Sequence, residues 1–407
     1  MSSATPVRGQ PSTIRSGAVA VSFDLFGEGV LADPYPWYRW LRRTAPCCYS
    51  PERDMWVVSR YDDCVAVMRD HETFSSAQGV GFERRSTRDI VSADPPKHTR
   101  LRRLVNRQFL PRVIATLEPR VAAIVEGLVD GMLEKGTVDL AVDLAEPLPL
   151  IVIAELLGVP VERRADFKRW SDAMVAATGL VDDNEAASIN ATRRELAAFF
   201  REMAAQRREH ASNGATDLIS SLVRAHDADG LTEAELVEFC IVLLVAGNET
   251  TTNAIGNGAL AMLSHPDQWR TLIKTPDLAP SFVEEVLRFD APVQGFFRTT
   301  VAPAEVAGTA IPAGAKVLVL FGSANRDEHH YPQADTFLAA RNPVDHIAFG
   351  SGIHACLGAP LARLEIAVLA RTVLQRVGAM LPAGEVVRTR TPLFRGVTCL
   401  PVVLEAR

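Results

Sequence analysis

The chain lacks any run approaching the roughly 18 uninterrupted apolar residues of a membrane span, so no membrane anchor is expected. It has no basic excess either. Lys and Arg number 43 against 49 Asp and Glu, a net charge of -6, which argues against general nucleic-acid binding. Cysteine is sparse: six residues, at 47, 48, 64, 240, 356 and 399, show no metal-type pairing. Cys47 and Cys48 are adjacent and too tight for an ordinary structural disulfide, and nothing suggests the disulfide framework of a secreted protein. The first 21 residues are rich in Ser, Pro, Gly and Ala and contain no apolar core of signal-peptide length. They are expected to form a loose tail, and the protein to be cytoplasmic. No internal repeat is visible.

What remains is ordinary globular material, 47% apolar and 23% charged. At 407 residues it suffices for two or three domains or for one large one. Pro34 to Arg43 predicts a short helix, with Trp37, Tyr38 and Leu41 available for one apolar face. Cys48 to Arg60 predicts two strands turning at Glu52-Arg53-Asp54, and Tyr61 to Arg69 a helix with Asp62 and Asp63 in its first turn. Residues 73–93 lack periodicity and predict a long mobile loop. From Val113 to about Ala225 the pattern predicts a succession of helices with short breaks, with a loop at Asp182-Asp183-Asn184 and a strong helix over Ile189–Arg208. Val317–Phe321 predicts a buried strand, Leu361–Val377 an amphipathic helix, and Leu393–Val403 a hairpin.

Four stretches carry chemistry. In Phe349-Gly350-Ser351-Gly352-Ile353-His354-Ala355-Cys356-Leu357-Gly358 one cysteine sits among three glycines, just before a helix. Glycines permit a tight loop and the close approach of a flat ligand. The helix start favours a thiolate, a good ligand for a soft or borderline metal. A plain buried cysteine in a glycine turn is the alternative. His98 and Arg102, four apart on a helix opened by Pro95 and Pro96, present two donors on one face to an anion such as a carboxylate, or form a solvated basic face. Thr232 caps a helix that is apolar from Phe239 to Val245, then polar at Ala246-Gly247-Asn248-Glu249-Thr250-Thr251-Thr252-Asn253, then apolar again. Such an island either marks the helix emerging into solvent or supplies an opening, ordered water and a proton donor within a core. Glu285 and Arg288, three apart, would be worth only tenths of a kcal/mol as a surface pair.

The cysteine loop resembles the haem-ligand loop FGxGxHxCxG of the cytochrome P-450 family, with every fixed position filled. The polar island resembles that family's [AG]-G-x-[DE]-T-[TS] motif, and Glu285 with Arg288 its Glu-x-x-Arg pair. The resemblance spans residues 94 to 358 in the right order. It implies a mainly α fold with a smaller β portion, a triangular prism of helices with haem between the long central helix and the cysteine-ligand helix, as a single domain over residues 22–407. Cys356 would be the axial thiolate of haem b. His98, Arg102, Arg298 and His354 would meet the propionates, with Phe349, Gly350 and Gly358 shaping the loop. Ala246 and Gly247 would leave room for oxygen, Thr250 would bond the oxygen or its water, and Glu249 would relay protons. Glu285, Arg288 and Arg341 would anchor the fold.

The activity so implied is monooxygenation: one atom of O2 enters a C–H bond, by hydroxylation or O-/N-dealkylation. Electrons would come from a separate ferredoxin with its reductase, or from a flavoprotein, docking near Arg102 to Arg107; the same arginines could equally be a solvated face. Val242, Val245, Val293, Phe296 and Phe394 would line a pocket for a small to medium apolar or aromatic substrate, and the chain would act as a monomer. The loop at 76–93 adds Val80, Phe82, Arg84 and Arg85, the arginines being either carboxylate readers or solvated charges. A peroxide-driven enzyme and a non-catalytic haem sensor are the rival readings. The acid–threonine pair weighs against the first, and the lack of a signalling module against the second.

Overall fold

Cys47–Ser50 and Met55–Val58 pair antiparallel across the turn expected at residues 52–54. In this computed structural model the described residues are 12–13, 19–82, 89–176, 183–209, 217–229 and 231–407. They fall into two compact units. The first takes residues up to 86, 280–356 and 388–396; the second takes 87–279, 357–387 and 397–407.

The first unit is built on a seven-stranded sheet, ordered Ser12–Thr13, Val19–Ala20, Cys47–Ser50, Met55–Val58, Lys316–Val319, Phe296–Thr300, Phe74–Ser75. Lys316–Val319 lies parallel to Met55–Val58 and antiparallel to Phe296–Thr300. Its unbroken apolar run suits a strand covered on both faces. Side chains alternate across a strand, so Val317 and Val319 join Trp56, Val58, Val67 and Phe321 on one side. Leu318 joins Leu25, Tyr38, Leu41 and Phe297 on the other. The helix Tyr35–Thr44 buries Tyr38 and Leu41 in that second cluster.

Two expectations here are corrected. The strand ends at Val319, and Phe321–Ala324 is a short helix, closed by the Asn325 amide donating to the Phe321 carbonyl at 2.9 Å. Within 73–93, Phe74–Ser75 is an edge strand on Thr299–Thr300, and Val80 accepts from the Phe297 amide at 2.9 Å. Phe82 packs edge-on against Phe26 and Phe297, so residues 74–82 are tied to the sheet. Arg84 and Arg85 lie outside the described residues.

The second unit centres on the helix Glu233–Ser264. A capping box starts it: Thr232 Oγ1 accepts from the Glu235 amide at 3.2 Å, and Glu235 Oε2 from the Thr232 amide at 3.0 Å. The helices Pro147–Leu157, Arg164–Ala176, Asp183–Glu209 and Ala359–Arg376 pack around it. Asp183 and Asn184 belong to the first turn of their helix rather than to a loop, where acid is favoured by the helix dipole; Asp182 lies outside the described residues.

A three-stranded sheet (Val377–Pro382, Pro401–Ala406, Thr137–Asp139) takes one strand, Thr137–Asp139, from a break in the stretch expected to be a succession of helices. The C-terminal hairpin is also re-drawn. Val397–Cys399 pairs with Val387–Arg388, whereas Pro401–Ala406 joins the other sheet. Asp139 makes this division: its carboxylate accepts from the Leu400 amide at 2.8 Å and redirects the chain. No helix among the described residues is long and apolar enough to cross a membrane.

Candidate active site

The cysteine loop closes on itself in the first unit. The Cys356 amide donates to the Phe349 carbonyl at 2.8 Å, and the Gly350 amide to the Ile347 carbonyl at 2.9 Å. Gly352–His354 forms one 3-10 turn. Gly350 and Gly352 have φ of +70° and +72°, a region that side chains other than glycine's rarely adopt. A Cβ on Gly352 would also stand 2.7 Å from the Met68 carbonyl oxygen, so a side chain would push the loop off the helix Tyr61–Arg69. Arg69 Nε donates to Ser351 Oγ at 3.1 Å and holds the loop from outside.

None of the six cysteines forms a disulfide, and Cys356 is the exposed one. Burial pushes the Cys47 thiol up to about 12 and raises those of Cys48, Cys64 and Cys240 as well. A hydrogen bond with Asp139 raises Cys399. At all five the surroundings therefore disfavour the thiolate, the form that ligates metals.

Other members of the expected set also lie in this unit. Arg298, on the strand Phe296–Thr300, is only 5% exposed and donates Nη1 to the Phe297 carbonyl at 2.8 Å. His354 is half-buried. Val293 is buried and forms a bridge with Phe394, whose ring stands edge-on to that of Phe296 at 6.3 Å.

Glu285 and Arg288 are both 0% exposed, joined by Nε–Oε2 at 2.7 Å and Nη2–Oε1 at 2.8 Å. Arg341 Nε donates to the same Oε1 at 3.2 Å and its other nitrogens to the carbonyls of Pro332, Gln333 and Thr336.

In the second unit, His98 is 3% exposed on the helix Lys97–Asn106, with Arg102 half-buried one turn further on. Arg100 pairs with Glu235, whereas Arg103 and Arg107 are exposed. Gly358 stands at the start of the helix Ala359–Arg376 and accepts from the amides of Leu361 and Ala362 at 2.9 and 3.0 Å.

The central helix runs unbroken through its polar island. One side stays partly open: Val242, Val245, Gly247, Glu249 and Thr250 are half-buried and Ala246 is exposed. Asn248, Thr251, Thr252 and Asn253 are buried. Thr250 Oγ1 donates back to the Ala246 carbonyl at 2.7 Å. Asn248 donates to Ser171 Oγ at 2.7 Å. Burial raises the Glu249 carboxyl, the Asn253 amide, donating to it at 3.0 Å, lowers it, and Asp172 and Glu146 add to the rise. Asn253 and Ser171 are not found by reading the sequence. The i,i+4 spacing of Glu249 and Asn253 carries a signal for the first; nothing local carries one for the second.

Among the described residues no cluster of three or more His, Cys, Asp or Glu could hold a bare ion. One accessible sulfur on a glycine-shaped loop, with a buried guanidinium in the same unit, suits a flat metallo-cofactor bearing carboxylates.

A family model described as Cytochrome P450 matches residues 38–275 and 271–401. Cytochrome P450 monooxygenase PikC of Streptomyces venezuelae is 40% identical over 411 residues, covering 97% of this chain and 96% of its own. Vitamin D(3) 25-hydroxylase of Pseudonocardia autotrophica is 39% identical over 399 residues, covering 94% and 97%. Among solved structures, cytochrome P450 CYP109Q5 from Chondromyces apiculatus superposes with a TM-score of 0.86 at 40% identity, over 95% of this chain and 98% of that one. With the family model matching most of its length and such relatives matching nearly all of it, the chain belongs to the cytochrome P450 family: it has the mainly helical P450 fold and is a haem-thiolate monooxygenase.

Proposed function

We propose that the enzyme hydroxylates or dealkylates small to medium apolar or aromatic molecules, with Cys356 as the axial ligand of haem b. The observation that carries this reading is the exposed Cys356 on a loop whose Gly352 cannot take a side chain without moving it. Bound there, haem supplies the reductive activation of O2, and the electron-rich thiolate favours cleavage of the O–O bond.

The chain's own residues do the rest. His98, Arg102, Arg298 and His354 bind the propionates by charge-assisted hydrogen bonds, and Phe349, Gly350 and Gly358 shape the loop. Ala246 and Gly247 keep one side of the central helix open. Thr250 turns its hydroxyl from the Ala246 carbonyl toward the oxygen or a water. Glu249, held more readily protonated by burial, delivers protons from solvent and is steadied by Asn253. Glu285, Arg288 and Arg341 hold the strap that precedes the cysteine loop.

Val242, Val245, Val293, Phe296 and Phe394 present apolar surface to the substrate. Relatives support a bulky apolar class: one is named a vitamin D(3) 25-hydroxylase, another a 6-deoxyerythronolide B hydroxylase, and one solved relative holds testosterone. Electrons come from a ferredoxin and its reductase, or a flavoprotein, docking on the exposed Arg103 and Arg107. The enzyme acts in the cytoplasm as a monomer with one catalytic domain over residues 22–407.

Cys356→Ser tests the ligand. It should abolish the red-shifted Soret band of the ferrous carbon monoxide form and monooxygenation together; activity without that band would overturn the assignment. Thr250→Ala should keep haem and substrate binding but divert electrons to peroxide. Turnover with hydrogen peroxide alone that equals turnover with NAD(P)H and redox partners would overturn the monooxygenase route.

A further inference from the structure

A buried carboxylate, Asp290, ties together parts of the first unit that the reaction does not use directly. It follows the helix Ala279–Phe289 and is 6% exposed. Its Oδ1 accepts from the Tyr35 hydroxyl at 2.5 Å and from Arg395 Nε at 2.9 Å, and Oδ2 pairs with Arg388 Nη2 at 3.0 Å. Arg326 completes the cluster. Its guanidinium lies 3.5 Å from the Tyr35 ring centroid and 3.6 Å from that of Phe289, and Nε donates to the Phe289 carbonyl at 2.6 Å. One carboxylate thus faces three guanidinium groups.

Arg388 and Arg395 flank the loop that carries Phe394. The loop is closed by the Thr389 amide on the Gly396 carbonyl at 3.2 Å and by Thr391 Oγ1 on the Phe394 carbonyl at 3.1 Å. Two backbone bonds pin it to the approach to the Phe296 strand: Arg395 amide to Pro292 carbonyl at 2.9 Å, and Gln294 amide to Leu393 carbonyl at 2.7 Å. Phe394 sits between these pins, bridged to Val293 and edge-on to Phe296. Behind the loop lies a cavity of about 20 Å³, lined by Tyr38, Gln294, Leu31, Pro392, Phe394 and Arg395. That is room for about one water molecule.

We infer that Asp290 is a positioning residue for substrate selection. By holding Arg388 and Arg395 together it fixes Phe394 against Phe296 and sets the width of the aromatic wall met by substrate. Without the carboxylate, Arg388 and Arg395 lose the acceptor they share and the loop between them is released on that side. This rests on the reading that Phe296 and Phe394 face the substrate.

The test uses the haem-loaded enzyme and two probes, imidazole and 4-phenylimidazole, each titrated by its Soret shift on binding iron. Imidazole reads the iron; the phenyl group also reads the wall. Asp290→Asn should weaken 4-phenylimidazole by about tenfold while changing imidazole less than about twofold, the size expected when one aromatic contact is lost. Phe394→Ala should reproduce that pattern, and Asp290→Glu should recover most of the affinity.

If Asp290→Asn binds both probes as the parent does while Phe394→Ala loses 4-phenylimidazole, positioning by Asp290 is wrong and the pocket reading stands. If Phe394→Ala changes neither probe, the pocket reading fails and takes this inference with it. Equal weakening of both probes by Asp290→Asn would mark a general disturbance and overturn the inference. Should Asp290→Asn fail to load haem, Arg388→Gln, at a partly exposed position, decides the matter by the same titrations: a selective loss of 4-phenylimidazole supports the inference, and no change overturns it.

Discussion

Removing the Glu285 carboxylate is the perturbation with the largest expected effect on stability. Arg288, 0% exposed, uses all five of its N–H donors: two on Glu285 and the others on the carbonyls of Asn325, Ala334 and Thr336. Glu285 accepts from Arg288 twice, from Arg341 Nε, and from the Leu338 amide at 2.9 Å. Glu285→Ala leaves a buried guanidinium uncompensated, which costs about 3–5 kcal/mol. It also strands the Leu338 amide, at roughly 1–3 kcal/mol.

A loss of that size is comparable with the whole stability of a domain, about 5–15 kcal/mol, so the variant should fold poorly. Arg288→Lys is the measurable companion. It keeps the charge but offers three donors where five are used, leaves two acceptors unmet, and should cost about 2–4 kcal/mol. Urea unfolding of the purified variants, followed by far-ultraviolet circular dichroism, reads both. If Glu285→Ala moved the transition by less than about 1 kcal/mol, the scale of an exposed pair, the claim that burial makes this pair an anchor would be refuted.

Three further outcomes are expected. The Glu249 carboxyl is raised by burial above its ordinary 4.5, so its stabilising share is full below that pH and lost as pH rises through the raised value. Glu249→Gln should therefore melt higher than the parent at neutral pH, with the gap closing below about pH 4.5, while turnover falls; a gap constant with pH would sink the idea. Gly352→Ala forces a side chain into φ of +72° and against the Met68 carbonyl, so haem content per chain should drop while circular dichroism is unchanged; full haem loading would contradict it. Thr232→Ala removes one half of the capping box and should lower stability by about 0.5–2 kcal/mol in urea titrations, with no change in the Soret spectrum.

Elements with their own end signals are legible in the sequence. The helix Tyr61–Arg69 has the ends its residues predict, because Asp62 and Asp63 mark its first turn. Elements whose limits depend on distant partners are not. An apolar run has no internal stop, so the pattern carries the strand through Leu320 and Phe321 when it ends at Val319. Thr137–Asp139 is too short for any period to show, and it exists because Pro401–Val403 lies beside it. The same Asp139 takes the Leu400 amide and splits the expected hairpin between two sheets. Spacing places Glu285 beside Arg288, but says nothing of their burial. The carbonyls that consume the arginine's donors come from residues 325–336, some forty positions downstream.

The central helix shows why a motif can be legible while its physics is not. In sequence, residues 246–253 are one polar island in an apolar helix. In three dimensions the island has two faces. Asn248 turns inward and its amide donates to Ser171, on a helix 77 residues earlier, so that donor ties two helices together. Glu249 and Thr250 share the half-open side with Ala246, and there burial is partial: enough to raise the affinity of Glu249 for its proton, and not enough to isolate it from solvent. Asn253, one turn on, donates to the same carboxylate, which limits that rise and fixes the carboxylate's direction. A proton donor needs this intermediate state, because full burial would prevent reprotonation and full exposure would leave an ordinary carboxylate with no raised affinity for its proton. Which polar residue lands on which face is set by the helical turn; how far each face is covered is set by the Pro147–Leu157 and Arg164–Ala176 helices packed against it.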